Sequence, residues 1–69
     1  MILRIMDFSG DRQMSTEKHT VEEIRAEFER LTSAGHLAYV AEGGGKNRAT
    51  RKFEEDADEI VITPALVGG

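Results

Sequence analysis

Few residue types in this chain of 69 residues could do chemistry, and their spacing limits what that chemistry is. There are no cysteines, which removes disulfides, thiolate metal sites and cysteine nucleophiles together and fits a reducing interior. The two histidines, His19 and His36, cannot make a structural zinc site unless carboxylates join them. His19 reads as a surface residue beside a helix cap, and His36 as a residue placed to interact with a helix C-terminus. The acids gather from Glu22 to Glu29 and from Glu54 to Glu59. Glu54, Glu55, Asp56 and Asp58 lack the ligand spacing of a calcium loop and read as a charged turn. The basic run Lys46, Arg48, Arg51 and Lys52 could grip a phosphate backbone. However, acids follow it at once and no aromatic residues interleave, so it reads as a solvated strand edge or loop. Lys18, Lys46 and Lys52 are the lysine amines of the chain. What remains is the chain end, Gly68-Gly69, where no side chain stands near the carboxylate.

The elements that would position that end can be read from the pattern. Leu3 and Ile5 fall on one face of an extended opening segment, Met1 to Phe8, with Ile2, Arg4 and Met6 on the other. Arg4 marks its own face as the wet one. Ser9, Gly10 and Asp11 signal a turn. The following residues 11–18 are polar and poorly patterned, with at most a short strand around Met14. Thr20-Val21-Glu22-Glu23 has the form of a capping box. Val21, Ile24, Phe28 and Leu31 then recur at helical spacing on one stripe, which predicts a helix over about 21–34. Arg25 with Glu29, and Glu27 with Arg30, are expected as ion pairs on its wet side. Gly35 is placed to end it in a left-handed conformation. Leu37 to Ala41 reads as a strand, Gly43-Gly44-Gly45 as a loop, Lys46 to Phe53 as a further short strand. The β-branched run Glu59 to Thr63 has the composition of a central strand, and Pro64 marks its exit.

One helix laid across one face of a mixed sheet buries both apolar faces economically. Pairing the two most apolar strands, the first and the last, in the middle gives an α+β fold of the β-grasp type. It has a mixed sheet of four or five strands and one helix packed across one face. Residues 1–64 would form a single domain and 65–69 a flexible tail. At this size no second core fits, so a complete enzyme pocket is not expected.

The ending Asp58-Glu59-Ile60-Val61-Ile62, followed by Pro64-Ala65-Leu66-Val67-Gly68-Gly69, resembles the close of the MoaD and ThiS sulfur-carrier families, relatives of ubiquitin in fold. The apolar first strand, Phe8 and the polar turn before a single helix fit the same pattern. Ala57 departs from it, because those families usually place a glycine in the acidic turn. The resemblance implies a carrier that is not itself an enzyme and binds no cofactor or metal. An E1-like (MoeB/ThiF-type) adenylyltransferase would use ATP and Mg²⁺ to activate the carboxylate of Gly69. A tail free of side chains at Gly68 and Gly69 suits a narrow channel. Phe8, Pro64, Leu66 and Val67 would contact that partner. The activated end would become a thiocarboxylate for a sulfur-accepting synthase, or a thioester passed to lysines of a conjugation target. A third reading is a non-covalent interaction module.

A net charge of −4 suits neither a nucleic-acid partner nor a phosphate backbone. No apolar segment approaches the roughly 20 residues of a membrane span. The opening MILRIMDF is too short and too charged for a signal peptide. A cytoplasmic location is therefore expected.

Overall fold

The computed structural model describes residues 1–7 and 10–64. Five strands and one helix follow in the order β1 (Ile2–Asp7), β2 (Gly10–Ser15), α1 (Val21–Ser33), β3 (Leu37–Gly43), β4 (Lys46–Thr50) and β5 (Glu59–Thr63). The strands form one sheet in the order β2-β1-β5-β3-β4. β1 and β5 run parallel, with Ile2 beside Glu59 and Ile5 beside Ile62, while β2, β3 and β4 pair antiparallel with their neighbours. The α+β class, the mixed sheet and the single helix are as expected, and β1 and β5 sit side by side in the interior. This arrangement is compatible with a β-grasp.

Alternation in the three inner strands builds one side of the core. Leu3 and Ile5 of β1, Ile60 and Ile62 of β5, and Ala38 and Val40 of β3 all face inward and are buried. Ile24, Phe28 and Leu31 of α1 close over them. Val21, at the start of the same stripe, is only half-buried. Phe53, in the connection after β4, packs its ring edge-on to Phe28 at a centroid distance of 5.5 Å. Offset or edge-on pairs of this kind add to the burial of two large rings.

The helix begins and ends as its sequence dictates. The Glu23 backbone N–H donates to Thr20 Oγ1 at 3.1 Å, and the Thr20 N–H donates to Glu23 Oε1 at 2.8 Å, closing the capping box. At the other end Gly35 takes φ +101°, and the N–H groups of Gly35 and His36 donate to Thr32 O and Leu31 O. Those two bonds satisfy carbonyls that the last turn leaves open.

Three details differ from the sequence reading. Residues 10–15 do form a strand: β2 pairs with β1 along its whole length, from Asp7 with Gly10 to Ile2 with Ser15. It is an edge strand, so Gly10 to Gln13 are exposed on both faces and carry no apolar alternation. The glycine loop is tighter than expected, because β3 runs on to Gly43 through an irregularity after Ala41. Gly43, Gly44 and Gly45 all have positive φ, a backbone that glycine adopts without a Cβ penalty. Arg25 pairs not with Glu29 but with Glu55 at 3.6 Å, and its guanidinium lies 5.4 Å from the Phe53 ring centroid. The Phe53 ring offers Arg25 a contact that Glu29 cannot.

Among the described residues no helix is long and apolar enough to cross a membrane.

Candidate functional site

The predicted site centres on the end of β5. This strand is held on both sides, by β1 through Ile60 and Ile62 beside Leu3 and Ile5, and by β3 through the same residues opposite Val40 and Ala38. Its last residue, Thr63, lies opposite Leu37, and Pro64 follows half-buried. Of the residues expected to act, Pro64 alone has a described position. Phe8, Leu66, Val67, Gly68 and Gly69 lie outside the described residues.

The surroundings of that exit were not legible in the sequence. Ile5 lies beside Ile62, so the next residue, Met6, comes beside Thr63. Met6 is 40% exposed and Leu37 is 48% exposed. Two large apolar side chains therefore stand open on either side of the point where β5 ends. They belong to the face of the sheet that α1 does not cover, together with Ile2, Tyr39 and Val61. Arg4 of β1 reaches across this face to Glu59 at 3.2 Å. Alternation in β1 signalled the exposure of Met6, whereas the matching exposure of Leu37 needed the pairing with Thr63.

Among the described residues, every arginine except Arg51 is held in an ion pair. Glu27 on α1 accepts from Arg30 at 2.7 and 2.8 Å and also from Arg12 of β2, so one carboxylate ties the edge strand to the helix. Hydrogen bonds from Arg30, then from Arg12, bring the Glu27 carboxyl down from 4.5 to about 2. At the opposite edge of the sheet Arg48 donates to Glu54 at 2.7 and 2.9 Å and to Glu42 at 2.9 Å. The Arg48 bonds, with a further one from the Thr50 hydroxyl at 2.9 Å, bring Glu54 down to about 2. The Thr20 backbone N–H lowers Glu23 in the same way. Arg51 and Lys52 have no ion-pair partner among the described residues.

A cleft of about 600 Å³ opens beside these cations, where the end of α1 meets β3 and β4. Thr32, His36, Leu37, Tyr39 and Arg51 are among its walls. His36 Nδ1 is buried there without a hydrogen-bond partner, while the His36 backbone N–H donates to Leu31 O at the end of the helix. His19 is half-buried beside the helix cap. Among the described residues no group of three histidine or acidic side chains is placed to hold a metal ion. The acids from Glu54 to Asp58 occupy the connection into β5, as the charged-turn reading has it.

Compared with family models, curated proteins and solved structures, the chain matches none.

Proposed function

We propose that this chain is a β-grasp, ubiquitin-like sulfur carrier of the MoaD/ThiS kind, whose Gly69 carboxylate is activated by an E1-like enzyme. The observation that supports it most is the placing of β5. A strand clamped between a parallel and an antiparallel neighbour gives the residues after Pro64 a fixed base, and those residues close on Gly68-Gly69. A firm base with a slender tip suits a substrate that must be offered to another protein's nucleotide site. The open apolar pair Met6 and Leu37 extends the docking surface proposed for Phe8, Pro64, Leu66 and Val67.

In this reading the partner binds ATP and Mg²⁺. A Gly69 carboxylate oxygen attacks the α-phosphorus, pyrophosphate leaves, and an acyl-adenylate forms. Sulfide delivered by the sulfur donor then attacks the acyl carbon and displaces AMP, leaving a thiocarboxylate. Catalysis belongs to the partner, and this chain contributes the carboxylate and the surface that presents it.

The test is an intact mass of the protein after incubation with an E1-like adenylyltransferase, ATP, Mg²⁺ and a sulfur donor. The reading predicts a gain equal to one oxygen replaced by one sulfur, confined to the fragment that contains Gly69. No gain under conditions that convert a control carrier sinks it. A ladder of lysine-linked conjugates without that gain assigns the protein-modifier chemistry instead. The reading also requires Gly69 to be the last residue of the mature chain, which the same spectrum of protein from its own cells checks.

A further inference from the structure

We propose that the groove between the C-terminal half of α1 and the free edge of β4 binds an acidic, extended segment of a partner protein. The groove is continuous. A second cleft, of about 540 Å³, shares Thr32, Ser33 and Arg51 with the cleft beside His36 and runs on to Phe28, Lys52 and Phe53. One wall is the helix and the other is the end of β4 with the residues that follow it. β4 is the last strand of the sheet, so no strand among the described residues pairs with its outer backbone groups. A bare edge of that kind accepts an added strand, which gains main-chain hydrogen bonds along its length.

Charge selects what that strand carries. Beside the groove, Arg48 is held by Glu42 and Glu54, and Arg25 by Glu55. Among the described residues Arg51 and Lys52 have no ion-pair partner, and the one acid without a partner lining the groove is Glu29. The local balance is thus positive on a chain whose net charge is −4. Leu37 and Tyr39 supply apolar surface at the near end. A segment with apolar side chains along its inner face and carboxylates at the end reaching Arg51 and Lys52 complements both features.

The opposite edge of the sheet is built differently. There Arg12 of β2 reaches Glu27 of α1 and bridges the gap between edge strand and helix. The described residues place no such bridge between β4 and α1.

A titration of the full-length ¹⁵N-labelled chain tests the proposal. The probe is a short synthetic peptide alternating isoleucine with glutamate and closing on two aspartates. Controls are the same peptide with lysine for every acid, and oligouridylate, because Tyr39 beside unpaired cations could also serve a single strand of RNA. The acidic peptide should move the backbone amides of residues 46–53 and 32–39 and leave β2 still. Arg51→Glu with Lys52→Glu, both at exposed positions, should weaken it about tenfold or more, the loss expected when charge-assisted contacts become repulsive. Removing Gly68 and Gly69 should leave binding unchanged, so this result stands or falls apart from the carrier reading. The proposal is overturned by shifts centred on β2, by no shifts, by equal binding of the lysine peptide, or by RNA binding more tightly than the acidic peptide.

Discussion

Glu27→Gln isolates the tie between the edge strand and the helix. The Glu27 side chain is only 16% exposed, and its carboxyl is brought from 4.5 to about 2 by Arg30 and Arg12. If the whole displacement were realised, at about 1.4 kcal/mol per pH unit, it would correspond to roughly 3 kcal/mol. Both arginines reach into solvent, with side chains 47% and 62% exposed, so screening reduces this to about 1–2 kcal/mol. The sign follows from linkage. A carboxyl whose value is lowered by folding contributes its full stabilisation above about 4.5 and loses it as pH falls toward 2. Urea unfolding measured from pH 7 down to pH 2 is the assay. With a slope near 1 kcal/mol per molar urea for a domain this small, the variant's midpoint should fall by about 1–2 M at pH 7. The gap between variant and parent should close as the pH drops below 4.5. Arg30→Ala and Arg12→Ala should each show part of this loss, because both guanidiniums hold the carboxylate. Equal midpoints at pH 7, or a gap that does not close in acid, would refute the reasoning.

Phe28→Ala should cost about 3–5 kcal/mol, because it empties the site that both the sheet and Phe53 pack against. A single core in a domain this small rarely supplies more than about 3–5 kcal/mol, so thermal unfolding should find this variant largely unfolded at 37 °C. Thr20→Ala should cost about 1 kcal/mol in urea while Thr20→Ser costs little, because serine keeps the hydroxyl that accepts from the Glu23 N–H. Gly35→Ala should destabilise by about 1 kcal/mol or more through its φ of +101° alone, since a Cβ there meets nothing, and a higher melting temperature would contradict this.

The inner elements were legible because burial imposes a period on them. Leu3 and Ile5 against Arg4, and Ile24, Phe28 and Leu31 on one stripe, announce a strand and a helix. The Thr20–Glu23 box fixes the helix start to the residue. β2 was legible only as a short strand around Met14, because an edge strand with Gly10 to Gln13 in solvent needs no apolar alternation, and the extent of its pairing with β1 is a tertiary fact. The Arg25 partner was misjudged for a similar reason. Spacing within the helix puts Glu29 in reach, but Phe53 and Glu55 arrive from a distant connection. Met6 and Leu37 become neighbours of the β5 exit only once three strands are aligned, and the cleft beside Arg51 joins residues from α1, β3 and β4. Chemistry at Gly69 and Gly68 was read from the tail sequence, and those residues lie outside the described part of the fold.

Formation of the acyl-adenylate is the step on which the carrier account depends, and pyrophosphate exchange reads it directly. With an E1-like adenylyltransferase and labelled pyrophosphate, the intact chain should drive label into ATP, and a chain lacking Gly69 or extended beyond it should not. Exchange that persists without Gly69, or that never rises above the enzyme alone while a control carrier supports it, would contradict the account.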